Sequence, residues 1–153
     1  TRPRSGLSLP TNTCAMTSER PSTKQSEDKG YLMLDCFVVG IGGFIGSAAR
    51  YLIGKIPMKN PASFPVNTLL INIAGSFLIG IIVAAAAKNN HINPRLILFL
   101  KVGICGGFTT FSTFSLETGE LIKSGAFFTA FVYVIASAGL GILAVMAGQC
   151  AVK

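Results

Sequence analysis

Half of the 153 residues are apolar and 12% are charged, against about 25% charged in an ordinary soluble domain, so the chain holds one domain at most and reads as a membrane protein. Its net charge of +7 comes from basic residues scattered singly between apolar runs, which excludes a nucleic-acid-binding stripe and leaves anionic lipid headgroups as their natural partner. A lone histidine, His91, four cysteines without CxxC spacing (Cys14, Cys36, Cys105, Cys150) and the lack of a GxxxxGK[ST] phosphate loop leave no material for a zinc site, a His-based triad, a disulfide framework or a nucleotide-driven pump, and no enzyme is expected.

Residues 1–32 carry five of the thirteen basic residues and three of the six acids, and contain no long apolar run. A secretory signal is excluded there. The segment is expected to be a disordered or non-native extension, with Met33 as the native start.

A helix needs about 20 mostly apolar residues to cross a bilayer, and four stretches qualify: 33–54, 66–87, 95–122 and 126–150. The chain is therefore expected to be an all-α integral membrane protein with 33–153 as its transmembrane domain. Polar or proline-containing turns separate the spans, and their shortness predicts that sequential helices are antiparallel neighbours.

The first span opens with Asp35 and carries Arg50 near its end. Intramembrane ionisable groups mark function, but an Arg near a helix end also snorkels to the headgroups, and both readings stand. In the second span Thr68, Asn72 and Ser76 recur every fourth residue and share one helix face.

The third span contains the run GGFTTFSTFS at 106–115. Glycine costs roughly 1 kcal/mol against alanine in a helix, and Ser and Thr offer the backbone competing hydrogen bonds. A break near mid-membrane is predicted, where freed carbonyls would line a wet cavity or hold a cation. The competing reading is close helix packing through Gly103-xxx-Gly107. Phe111 and Phe114 can present their rings to one side, either as packing or as positive ring edges turned to an anion. Glu117 lines a mouth or marks the interfacial end of the span.

The fourth span repeats the one-sided polar pattern with Thr129, Tyr133 and Ser137. Each stripe alone fits ordinary interhelical hydrogen bonding, while the three polar spans together fit a narrow conducting track.

From Met33 onward one membrane face holds Lys88, Arg95 and Lys153 and the other holds Arg50, Lys55, Lys59 and Lys123, with Lys101 inside the third span. The positive-inside bias is close to nil. Such a chain can insert both ways and pair with an inverted copy about an in-plane two-fold axis, although charge counts this small also arise by chance.

The stretches GFIGSAARY (43–51), NTLLINIAGSF (67–77) and GGFTTFSTFS (106–115) resemble, in order and spacing, the signature segments of the CrcB/Fluc family of fluoride channels. The resemblance runs from Met33 to the end. It implies an antiparallel, dual-topology homodimer in the cell membrane (plasma or inner) that lets fluoride leave the cytoplasm passively and so protects against its toxicity. It also implies a structural sodium ion at the dimer interface, held by the carbonyls of Gly106 and Thr109. Phe111 and Phe114 would be the pore-lining aromatic pair and Asn72 an anion hydrogen-bond donor. Thr68, Ser112, Thr113, Glu117, Tyr133 and Ser137 would continue the polar track, and Arg50 would sit in the vestibule.

Two rivals remain at this stage. A small four-helix multidrug antiporter needs a membrane-buried carboxylate, for which Asp35 and Glu117 lie too near the span ends. A non-transporting assembly subunit needs no pathway at all.

Overall fold

A computed structural model describes residues 22–56, 64–89 and 91–152. All regular structure among them is helical: α1 (Ser22–Gly54), α2 (Val66–Lys88), α3 (Pro94–Leu98), a π-type helical stretch (Phe99–Cys105), α4 (Gly106–Phe108), α5 (Phe111–Lys123) and α6 (Phe127–Cys150). Four units are long and apolar enough to cross a membrane: Lys29–Gly54, Val66–Lys88, Pro94–Lys123 and Phe127–Cys150. They match the four expected spans within a few residues.

Residues 22–32, part of the segment expected to be a disordered or non-native extension, continue α1 upstream of Met33 as unbroken helix. Local propensity explains this, since Ser22 to Lys29 contain Lys, Gln and Glu and no proline, and an existing helix propagates more easily than a new one nucleates. Residues 1–21, together with Lys59 and Lys153 of the charge count, lie outside the described residues.

The helix ends are specified locally. Asn93 caps the third span by accepting from the Arg95 N–H at 2.9 Å, with Pro94 in the first turn where its missing N–H costs nothing. At the turn into α6, Gly125 takes φ 81°, a backbone region closed to most other residues.

Packing follows the small residues. The closest contacts join alternate, parallel spans, not the sequential antiparallel neighbours that the short loops suggested. Gly42 and Gly46 of α1 meet the backbone of the third span, where a Cβ on Gly42 would stand 2.7 Å from the Phe99 carbonyl oxygen and one on Gly46 would overlap that of Ile104. Gly80 of α2 and Gly148 of α6 interlock in the same way, a Cβ on either overlapping the other helix's backbone. Without a hydrophobic force between apolar helices in lipid, close backbone approach at small residues is what holds spans together.

Buried apolar side chains are correspondingly few, and large ones such as Phe37, Phe44 and Phe128 face outward. At the end of the bundle where the third span starts, Arg95 Nε pairs with Asp35 Oδ1 at 3.0 Å and its guanidinium lies over the Tyr31 ring, tying the two parallel spans in register.

Candidate functional site

The third span breaks at Thr109 and Thr110, whose backbones are extended (φ −78°, ψ 154° and φ −147°, ψ 114°) between the end of α4 and the start of α5. The glycine-packing reading of the same motif is also correct. Gly103 and Gly107 lie against Gly42 and Gly43 of α1, so the run both packs and breaks.

Three side chains settle the backbone groups at the break. Asn72 of α2 matches Thr110 on both sides: its Oδ1 accepts the Thr110 N–H at 2.8 Å and its Nδ2 donates to the Thr110 carbonyl at 3.2 Å. Thr110 in turn caps α5, its Oγ1 accepting the Thr113 N–H at 3.2 Å and donating to the Thr113 hydroxyl at 3.0 Å. Arg50 reaches in from α1 and donates from Nε to the Gly107 carbonyl at 3.2 Å. Arg50 therefore points along the bundle to the break, not out to the headgroups.

The two diversions have a specific result. A continuous helix would send the Thr110 N–H to the Gly106 carbonyl and the Thr113 N–H to the Thr109 carbonyl. Both donors are spent elsewhere. The carbonyls of Gly106 and Thr109 thus lose their helical partners, while that of Gly107 is taken by Arg50. Oxygen-only ligands of this kind suit a hard cation. Gly106 also has open space where its Cβ would be.

Beside the break lies an open groove of about 570 Å³, walled by Asn72 and Ser76 of α2, the backbone turn at Thr109 and Thr110, Phe111 and Phe114 of α5, and Ser137 of α6. Among the described residues no ionisable side chain lines it. The Ser137 Oγ is buried without a hydrogen-bond partner, an orphan donor at the groove's wall. The Phe111 and Phe114 rings lie 5.6 Å apart at 42°, Phe114 continues to Tyr133 at 5.1 Å, and Phe64 meets Tyr133 edge-on at 5.5 Å. Phe111 is 80% exposed on the protomer.

Below the aromatic chain, Glu117 accepts two hydroxyl hydrogen bonds, from Thr68 to Oε1 and from the fully buried Tyr133 to Oε2, each at 2.7 Å. It sits midway along α5, in the last quarter of the third span, with its carboxylate bonded into the bundle.

The expected residues thus fall into three groups. Phe111, Phe114, Asn72 and Ser137 meet at the groove, and Thr68, Glu117 and Tyr133 form one hydrogen-bonded unit beneath it. Ser112 and Thr113 instead join Thr110 at the break, outside the groove wall. Thr110 was missed as an individual residue. Its signal was a Thr just ahead of the stretch that resumes the helix, a residue type favoured at N-caps. Phe64, on a loop, gave no signal.

Four apolar spans, a helix broken inside the bundle and, beside the break, an uncharged groove whose mostly apolar wall carries a few polar groups define a multi-pass helical membrane protein. The profile of the family described as CrcB-like protein, Camphor Resistance (CrcB), matches residues 37–149, and the chain belongs to that family. It is 43% identical over 122 residues to a protein of Ruminiclostridium cellulolyticum named fluoride-specific ion channel FluC, covering 79% of this chain and 94% of that one. It is 44% identical over 117 residues to proteins of the same name from Agrobacterium fabrum, covering 76% of this chain and 94% of that one, and Phocaeicola vulgatus, covering 76% and 96%.

Proposed function

We infer that this chain is a fluoride channel that carries the anion passively out of the cytoplasm across the plasma or inner membrane, and that it works as an antiparallel homodimer. The observation that carries the reading is the groove at the break, which combines a few polar groups and two phenylalanine rings with no ionisable side chain among its described lining residues. Conduction needs contacts favourable enough to admit a strongly hydrated anion and weak enough to release it. The edges of Phe111 and Phe114, the remaining amide hydrogen of Asn72 and the unpartnered Ser137 hydroxyl are neutral contacts of that kind. Thr68, Glu117 and Tyr133 continue the path beyond Phe114.

The second copy follows from solvation. Extended backbone with unpartnered carbonyls at mid-span depth cannot face lipid and has to be covered by protein or water. A second copy laid over the groove supplies the cover, and the near-even charge on the two faces permits it to be inverted. The carbonyls of Gly106 and Thr109 fit a sodium ion at that interface, which when bound would hold the two breaks together electrostatically.

A proton-coupled antiporter is disfavoured by the same geometry. Its carboxylate would have to be free to exchange protons with the solute path, whereas both oxygens of Glu117 are held by hydrogen bonds from Thr68 and Tyr133. The deciding experiment is fluoride efflux from liposomes holding the purified chain, followed with a fluoride electrode under a potassium gradient with valinomycin, beside a chloride control. Rapid fluoride loss without chloride loss is expected. Retained fluoride with folded protein in the membrane overturns the channel reading.

A further inference from the structure

Asn72 stands between two features usually considered apart, the groove and the break. Its carboxamide lines the groove, yet both of its polar atoms are bonded to the backbone of Thr110. The pairing reproduces with a side chain what a neighbouring strand would offer, one acceptor for the N–H and one donor for the carbonyl. A single Nδ2 hydrogen is left for any solute.

The more consequential bond is the one at 2.8 Å from the Thr110 N–H to Asn72 Oδ1. That N–H is the donor that a continuous third span would give to the Gly106 carbonyl. Backbone groups inside a membrane do not stay unpaired when a partner is in reach. Removing the Asn72 acceptor therefore returns the Thr110 N–H to Gly106 and lets α4 run on toward α5. The Thr109 carbonyl is released separately, by the Thr110 hydroxyl capping Thr113, so the two carbonyls depend on different side chains.

We propose that Asn72 is a positioning residue that keeps the third span open by holding the Thr110 N–H away from the Gly106 carbonyl, and that it thereby sets the sodium affinity of the dimer as well as the groove. The sodium part rests on the function proposed above. Groove and cation site are then coupled through one side chain, and a change at Asn72 acts on both.

The test separates this role from that of a simple anion contact. Thermal stability of the purified wild-type dimer is measured in detergent across a sodium chloride series with choline replacing sodium, beside Asn72→Leu, Asn72→Asp and Phe111→Ile. Asn72→Leu is expected to raise the sodium concentration for half-maximal protection at least about tenfold. Asn72→Asp keeps the acceptor for Thr110 and is expected to retain the sodium response, as is Phe111→Ile, which touches only the groove. A wild-type sodium response in Asn72→Leu overturns the proposal, and Asn72→Ser, too short to reach Thr110, replaces Leu if that variant does not fold. A crystal structure of the Leu or Ser variant gives a sodium-independent readout. Thr110 N within hydrogen-bond distance of Gly106 O is expected, and a break unchanged from the wild type overturns the proposal. Failure of the channel reading shows differently, as absent fluoride efflux in the wild type.

Discussion

Arg50 Nε donates to the Gly107 carbonyl across 3.2 Å, so the last turns of the first span hold the end of α4 where the third span breaks. This bond takes the Gly107 carbonyl, while those of Gly106 and Thr109 keep no helical partner. A guanidinium-to-carbonyl bond in a membrane interior contributes about 1.5–3 kcal/mol. Arg50→Met should lower stability by about 2 kcal/mol in an SDS-unfolding titration. Fluoride efflux should fall by less than in Phe111→Ile, because Arg50 does not line the groove.

The unit of Thr68, Glu117 and Tyr133 gives a prediction about coupling. Each hydroxyl supplies one oxygen of Glu117 with its donor, and an unsatisfied acceptor inside the bundle costs about 1–3 kcal/mol. Tyr133→Phe and Thr68→Val should each destabilise the protein by that amount. Side chains sharing one partner are not additive, so the double variant should cost measurably less than the sum of the two. Additive losses in a double-mutant cycle would show that Glu117 does not join them.

These two cases mark what the sequence made legible. Span positions followed from hydropathy alone, and the break from two glycines beside five hydroxyl residues. What Arg50 and Glu117 bond to did not follow, because which helix a side chain faces depends on the crossing of distant spans, here set by the glycine contacts of α1 with the third span and of α2 with α6. The π-type stretch at Phe99–Cys105 was equally hidden, since an apolar run has the same composition in either helix. The helix upstream of Met33 was missed because a polar stretch lacking an apolar face offers no periodic signal, although it only has to continue a helix already formed.

Phe111 and Phe114 are predicted to separate function from folding. Phe111 is largely exposed on the protomer, whereas Phe114 packs between Phe111 and the buried Tyr133. Phe111→Ile should cost protomer stability only its one contact with Phe114, about 0.5–1.5 kcal/mol, while fluoride efflux drops by tenfold or more, an expectation of about 1.4 kcal/mol of lost anion contact. Phe114→Ile should reduce both, since it also removes two aromatic contacts of about 0.5–1.5 kcal/mol each. Electrode-monitored efflux and unfolding titrations on the same preparations check the contrast.

The last prediction sets two adjacent glycines against each other. A Cβ on Gly107 would stand 2.5 Å from the Gly43 carbonyl oxygen and 3.0 Å from the Gly43 Cα, so α1 and the third span would have to part. Backbone cannot give way as a flexible side chain does, and the contact is one of the close backbone approaches that join these spans in lipid. Gly107→Ala should therefore yield little folded protein. A Cβ on Gly106 meets nothing within 4 Å of its own protomer, so Gly106→Ala should fold as a protomer. The face it occupies is the one proposed to carry the inverted copy and the cation, where an added methyl group would hold the two breaks apart. Size-exclusion chromatography with light scattering, or glutaraldehyde crosslinking in liposomes, should show Gly106→Ala shifted from dimer to monomer with its helical circular dichroism intact. A Gly106→Ala protein that dimerises as the wild type does would place the interface on another face.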